Sequence, residues 1–311
     1  MAVERQVPQL EVREEALSAA AGIRRERRWL AYLALASAIF GMSWSALFVR
    51  WAGVPAAASA FYRVLIACVI LLPWRAVRGG QSPDRRAAML ALAGGVFFAF
   101  DLLLFNSAVL RTSAATAVLL GNNAPVFVGL ATWFILGRPP RAAFWIGLGL
   151  ALAGCAFIVF ADSSGRSAAL RGDAVGDLLA LGAAVFWAAY MVTTERVRIG
   201  MDTLTFNTLA VTASVLTLLA VCLATGVPLT GYSPRTWAAL LALALVSQVA
   251  AYYALVYALG HLRATVTSVS ILSQVPLTAL LAAALLGEPL SAAQLTGGAV
   301  VLAGIYVVTK P

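Results

Sequence analysis

The sequence predicts an all-α membrane protein with ten transmembrane helices, arranged as two inverted five-helix repeats. Three observations support this fold class. Of the 311 residues, 62% are hydrophobic and only 11% are charged, whereas a soluble domain keeps about a quarter of its residues charged. The apolar residues are concentrated in stretches long enough to cross a bilayer, and two parts of the chain share one order of short motifs. A chain with so few charges must meet lipid over most of its surface.

Ten apolar stretches reach the length of about 20 residues that a helix needs to cross the hydrocarbon core. Glycine, proline and charged residues separate these stretches, as is typical of loops. Their sequences lack the alternation of a strand, and lipid does not tolerate open sheet edges. The predicted spans cover residues 29–49, 55–74, 87–109, 112–136, 142–160, 174–194, 203–224, 235–259, 264–286 and 291–309.

Basic residues predict the orientation, because short loops on the cytoplasmic side of a membrane are enriched in Arg and Lys. With the N-terminus in the cytoplasm, most of the 22 basic residues fall on the cytoplasmic side. The opposite side then holds only Arg50, Arg111, Arg166, Arg171 and Arg235. We therefore expect a multi-pass protein of the cell inner membrane, with a cytoplasmic tail over residues 1–28 and both termini in the cytoplasm.

Residues 29–160 (spans 1–5) and 174–309 (spans 6–10) are predicted to be two copies of one unit. One constant offset aligns Gly137 with Gly287 and Gly154 with Gly304. Each copy holds an odd number of spans, so the second copy enters the membrane from the opposite side. Inverted repeats of this kind typically place a substrate site near the middle of the membrane, where the copies meet.

The motifs in these copies resemble the drug/metabolite transporter superfamily, in particular its ten-helix EamA-type exporters. The resemblance covers nearly everything after residue 29, and it implies export of amino acids, metabolites or drugs. One departure is Arg138, where the family usually has a glutamate, as at Glu288. The matching segments include Phe40-Gly41, Phe61-Tyr62-Arg63, Asn106-Ser107-Ala108, Ala124-Pro125-Val126-Phe127, Tyr257-Ala258-Leu259 and Leu286-Gly287-Glu288-Pro289.

Two ionisable residues fall inside predicted spans, Arg63 in span 2 and Asp101 in span 3. An ionisable group there costs at least about 2.5–3.5 kcal/mol, so it needs a partner or a wet cavity. Both residues lie eight positions from the outer end of their span, and this matched depth allows an ion pair. This pair of residues has either a functional role or a purely structural one. The functional role would be that of a proton site, a gate or a substrate anchor. Asp101 is the candidate group for a coupling proton.

Amide and aromatic side chains complete the predicted site. Asn122 and Asn123 precede Pro125 in span 4, and Gln274 precedes Pro276 in span 9. Amides in a span bind a solute or hold helices together, and aromatic rings line a cavity or form interfacial belts. The candidate substrate-binding residues are Trp44, Arg63, Asp101, Asn122, Asn123, Trp187, Tyr190, Gln248, Tyr252 and Gln274.

Small residues recur on spans 5 and 10, at Gly147 and Gly154 and at Gly297 and Gly304. Such stripes let helix backbones approach closely. We interpret them as packing positions, and they are also candidate contacts of a homodimer.

The main hypothesis is a secondary transporter that exports amino acids or similar small amphipathic metabolites by alternating access. The sequence lacks the common zinc, nucleotide and serine-nucleophile motifs, so no metal, cofactor or enzymatic activity is predicted. Basic residues lie at the edges of apolar runs rather than on one face, so no nucleic-acid partner is predicted. The alternatives are a non-transporting membrane sensor or assembly factor and a lipid-modifying membrane enzyme.

Overall fold

The computed structural model describes residues 29–79, 82–111, 120–163, 174–286 and 291–310, and within these ranges the chain is helical with no strand. The N-terminal tail and residues 112–119 of predicted span 4 lie outside the described residues. The helices are α1 (29–43), α2 (Ser45–Ala52), α3 (Ala56–Arg78), α4 (Arg85–Arg111), α5 (Ala124–Phe134), α6 (Ala142–Ser163), α7 (Ala174–Val197), α8 (Thr203–Thr225), α9 (Pro234–Ala242), α10 (Ala251–Leu259), α11 (Ala264–Ile271), α12 (Gln274–Leu286) and α13 (Ala292–Thr309), and a π-helical segment, Leu243–Ala250, joins α9 to α10.

Eight helical stretches of the described chain are long and apolar enough to cross a membrane, which makes this a multi-pass membrane protein. Two further apolar helices of the described chain are shorter than these stretches, Ala124–Phe134 and Ala142–Ile158. They fall in predicted spans 4 and 5, so the count of ten spans and the inverted repeat remain predictions. The eight stretches are Trp29–Val49, Ala56–Arg78, Arg85–Ala108, Ala174–Val197, Thr203–Thr225, Pro234–Leu259, Ala264–Leu285 and Ala292–Thr309.

Local sequence sets several helix ends. The Asp202 carboxylate accepts a hydrogen bond from the Thr205 backbone N–H at the start of α8. Ser291 and Gln294 form a reciprocal capping box at the start of α13, which satisfies two backbone donors that have no partner in the first turn. Gly226 ends α8 at a φ of 65°, a left-handed conformation that costs a glycine little.

Two spans are interrupted beside a proline. A turn at Asn122 and Asn123 precedes α5, which carries Pro125 in its first turn. A second turn separates α11 from α12, which carries Pro276 in its first turn. Proline has no backbone N–H to donate and hinders the turn before it, which explains why both helices restart there.

The N-terminal half (29–163) and the C-terminal half (174–310) are in contact along many helices. α4 packs against α7 and α8, α3 packs against α8 and the π-helical segment, and α6 packs against α13. The largest group of buried apolar side chains draws on both halves. Residues buried between the halves are therefore held by packing from both sides.

Glycines also allow a close approach of the two halves between α6 and α13. A Cβ atom added to Gly147 would lie 2.5 Å from the Gly304 carbonyl oxygen. A Cβ atom added to Gly154 would lie 2.6 Å from the Gly297 carbonyl oxygen. The small-residue stripes of spans 5 and 10 therefore face each other within one chain, as packing positions. Their use in a homodimer remains a prediction.

We expect Gly147→Val to destabilise the protein by about 1–3 kcal/mol or more, because the added carbons must push two backbones apart. Gly149→Val, two residues away, is the matched control, since a Cβ there meets nothing within 4 Å. Thermal unfolding of the purified protein in detergent measures both changes. Equal melting temperatures for the two variants would contradict a direct backbone contact.

Candidate substrate site

Arg63 of α3 lies at the centre of the candidate site. Its side chain is buried, with 8% of its surface exposed. Its Nε donates to Oε1 of Gln248 over 2.6 Å. Longer hydrogen bonds of 3.4 Å run from Nη1 to Oγ of Ser45 and from Nη2 to the Ser247 carbonyl. The guanidinium thus connects α2 and α3 of the N-terminal half to the π-helical segment of the C-terminal half.

The π-helical segment positions both C-terminal acceptors. Ser247 Oγ donates to the Gly41 carbonyl over 2.7 Å, which ties the segment to α1. A Cβ atom on Gly41 would lie 2.8 Å from Cβ of Ala251 and 3.0 Å from the Val246 carbonyl oxygen, so a side chain there would prevent this approach. Local π-helical turns inside helices occur frequently at functional sites. Here the turn places an amide and a carbonyl beside the arginine.

Two aromatic rings flank the guanidinium. Cζ of Arg63 lies 5.2 Å from the centroid of Tyr252 and 6.0 Å from the centroid of Phe98. A cation within about 6 Å of a ring is attracted to its face, and more strongly where water is excluded. The two ring centroids are 4.8 Å apart. Arg63 is therefore held by rings as well as by hydrogen bonds.

These rings belong to an aromatic cluster of Phe98, Trp187, Tyr190 and Tyr252. Trp187 stacks on Tyr190 at 5.5 Å, and Phe98 lies 5.3 Å from Tyr190. Trp187 meets Tyr252 edge-on at 5.9 Å. Trp187 is half-buried and the other three rings are buried. The cluster joins α4 of the N-terminal half to α7 and α10 of the C-terminal half.

Asp101 lies one helical turn after Phe98 on α4 and is half-buried. It interacts electrostatically with Arg63. Within the described part of the chain, however, the hydrogen bonds of the guanidinium go to Gln248, Ser45 and Ser247. The ion pair that matched depth allows is therefore not formed in this conformation.

The structure thus brings together Arg63, Gln248, Tyr252, Tyr190 and Trp187, with Asp101 nearby. The four other predicted residues make different contacts. Trp44 stacks on Phe48 at 5.8 Å, Asn123 donates to the Leu120 carbonyl, and Gln274 is half-buried at the start of α12. Asn122 has a buried Nδ2 without a hydrogen-bond partner among the described residues. No hydrogen bond or ring contact of the described chain joins these four to Arg63.

Three residues of the arrangement, Ser45, Phe98 and Ser247, are not among the predicted site residues. Phe98 could have been found, because positions three apart share one helix face and Asp101 was already a candidate. Ser247 directly precedes Gln248, but its contribution is a backbone carbonyl. The sequence carries no signal for that contact.

We expect Gln248→Leu to destabilise the protein by about 1–3 kcal/mol, because it removes the closest acceptor from a buried charged donor. Gln274→Leu is the matched control, since it replaces a half-buried glutamine that makes no hydrogen bond to described residues. Thermal unfolding of both variants in the same detergent gives the comparison. A loss of stability for Gln274→Leu as large as that for Gln248→Leu would contradict this assignment.

Comparisons with known proteins identify relatives across most of the chain. An uncharacterized transporter of Archaeoglobus fulgidus is 29% identical over 259 residues, which are 80% of this chain and 86% of that protein. The uncharacterized transporter YwfM of Bacillus subtilis is 31% identical over 215 residues, which are 66% of this chain and 68% of that protein. One solved crystal structure shares the fold, with a TM-score of 0.73 at 23% identity, covering 91% of this chain and 98% of that chain.

The model of the EamA-like transporter family matches residues 27–160 and also residues 174–310. Together these two matches include every residue of the site described above. The chain therefore belongs to the EamA-like transporter family, within the drug/metabolite transporter superfamily, and is a multi-pass membrane transporter.

Proposed function

We propose that this protein is a secondary transporter that exports amino acids or similar small amphipathic metabolites across the inner membrane by alternating access. One observation supports this proposal above the others. A buried arginine, Arg63, lies between the two halves, and its hydrogen bonds within the described chain go to neutral groups. Such a cation is suited to a substrate carboxylate.

The hydrogen-bonding capacity of Arg63 supports a carboxylate as the ligand. A guanidinium has five N–H donors, and only the bond from Nε to Gln248 is short. The two bonds from the terminal nitrogens are 3.4 Å long. A carboxylate that faced these nitrogens would form two parallel, charge-assisted hydrogen bonds, the strongest kind available to arginine.

The aromatic cluster supports an amphipathic ligand. It provides flat apolar surfaces directly beside the cation, and Trp187 keeps part of its surface exposed. A solute with a carboxylate at one end and an apolar side chain at the other fits this combination of groups. Sugars and nucleosides without an acidic group could not form these charge-assisted hydrogen bonds with Arg63.

The position of the site supports alternating access. Arg63 and Phe98 come from the N-terminal half, and Gln248, Tyr252 and Trp187 come from the C-terminal half. A movement of one half against the other would change the spacing of these groups and open the site to one side. The interrupted spans beside Pro125 and Pro276 resemble the broken helices of other transporters.

Thermal stabilisation by ligands tests the substrate class, because a ligand that binds only the folded state raises its melting temperature. We expect leucine, phenylalanine or tryptophan to stabilise the protein, and the amines formed by removing their carboxyl groups to have no effect. Arg63→Gln should weaken amino acid binding about tenfold to a hundredfold, because charge-assisted hydrogen bonds are lost.

Arg78→Gln is the control for this experiment, since it removes a charge at the exposed end of the same helix. Arg63→Lys keeps the charge and should retain weakened binding. It provides a second test in case the glutamine variant does not fold. Equal stabilisation by amino acids and amines, or unchanged binding by Arg63→Gln, would contradict a carboxylate site at Arg63.

We also propose Asp101 as the group that carries a coupling proton, because it is an ionisable residue in a span beside the cation of the site. Asp101→Asn should abolish uptake driven by a pH gradient in proteoliposomes, while exchange of labelled for unlabelled substrate continues. Both fluxes are measured on the same vesicle preparation. Unchanged pH-driven uptake would exclude Asp101 from proton coupling.

A further inference from the structure

A cavity lies away from the Arg63 site, where the C-terminal ends of α5 and α7 meet. Its volume is about 260 Å³, slightly below the range of about 300–1,000 Å³ that is typical of pockets for drug-sized ligands. A cavity of this size suits a small polar group. We call it the α5–α7 pocket, and its lining residues are Ile135, Leu136, Arg138, Glu195, Arg196 and Ile199.

The turn after α5 places Arg138 in the pocket. Gly137 adopts a φ of 64°, and the Arg138 backbone N–H then donates to the Thr132 carbonyl over 3.0 Å. These are features of a helix end that is closed by a left-handed glycine. Arg196 reaches the same pocket from the last turn of α7.

The charges of the pocket favour an anionic ligand. Arg138 and Arg196 are both exposed, and neither guanidinium forms an ion pair with a residue that the structure describes. The one carboxylate, Glu195, already accepts a hydrogen bond from the backbone N–H of Ala264 over 2.8 Å, at the start of α11. Two cations therefore face the pocket, while the only anion is engaged by a helix N-terminus.

Apolar side chains surround these cations. Ile135 is 71% exposed and Ile199 is 79% exposed, and Phe134, directly before Ile135, is 74% exposed and stacks on Trp133. In a membrane protein such side chains at the end of a span contact acyl chains and the headgroup boundary. The pocket thus combines two basic groups with a surface that faces lipid.

We propose that the α5–α7 pocket binds the phosphodiester of an anionic membrane phospholipid. Basic pockets between transmembrane helices bind acidic lipid headgroups, and here the exposed isoleucines would contact the acyl chains of the same lipid. A soluble anion would use the arginines but would leave these apolar side chains without a role. The site is independent of the transport proposal, because it shares no residue with the Arg63 site.

The sequence suggests that the pocket is specific to one half of the chain. In the repeat alignment, Arg138 corresponds to Glu288. A carboxylate at that position would oppose a lipid phosphate.

Lipid binding to the full-length protein in detergent tests the proposal, with native mass spectrometry to count bound lipids and thermal unfolding to measure stabilisation. We expect phosphatidylglycerol to bind and stabilise the wild type more than phosphatidylcholine of equal chain length. The double variant Arg138→Gln/Arg196→Gln should bind phosphatidylglycerol roughly thirtyfold more weakly, because each basic group near a lipid phosphate strengthens binding about fivefold to sixfold and the two effects multiply.

Arg85→Gln/Arg86→Gln is the matched control, because it removes two exposed arginines from the start of α4 on the same predicted side of the membrane. It should retain the preference for phosphatidylglycerol, as should Arg138→Lys/Arg196→Lys, which keeps both charges. Equal binding of the two lipids by the wild type, or an unchanged preference in the glutamine double variant, would overturn the proposal. Stabilisation by inorganic phosphate alone that equals that of phosphatidylglycerol would replace the lipid by a soluble anion.

Discussion

Arg63 carries a positive charge into the interior of the protein, and much of the surrounding structure serves to accommodate it. Its charge is costly at that depth unless hydrogen bonds or other charges stabilise it. Gln248, Ser247 and Ser45 provide acceptors, and the faces of Tyr252 and Phe98 provide two weaker electrostatic contacts. None of these groups is an anion, so the guanidinium is positioned without being neutralised by them. That combination is a reason to regard it as a binding group rather than as a structural ion pair.

The helices that supply these partners depart from regular geometry at the same place. The π-helical segment between α9 and α10 presents the Ser247 carbonyl and the Gln248 amide to Arg63. The lack of a side chain at Gly41 allows α1 to approach this segment closely. In lipid, an irregular backbone is tolerated only where protein or water satisfies its polar groups. The irregular segment is therefore found against the interior of the protein, where it can also contribute to a site.

The arginines of the α5–α7 pocket are in a different physical situation from Arg63. Arg138 and Arg196 are exposed at the ends of helices, where water and lipid headgroups stabilise their charge at little cost. They therefore need no dedicated acceptors from the protein, and the structure provides few. The same residue type consequently has two roles, which are set by depth. In our proposals, the buried arginine binds a solute and the exposed arginines bind a membrane lipid.

The sequence by itself determined that the chain is helical and crosses a membrane, since the length and composition of apolar stretches depend on the solvent around them. It also located the packing glycines of α6 and α13, because a close helix contact has a repeated small-residue pattern, and it located Arg63 and Gln248 as polar groups inside spans. Only the tertiary structure decided which groups meet. Matched depth suggested Asp101 as the ion-pair partner of Arg63. Depth along the membrane normal does not fix which way each side chain faces around its helix. The rotation of the helices and the π-helical turn place Gln248, rather than Asp101, in hydrogen-bond contact with Arg63. Trp44 and Gln274 were also predicted, but no hydrogen bond or ring contact of the described residues joins them to Arg63, because contacts between distant segments depend on packing that no local pattern encodes.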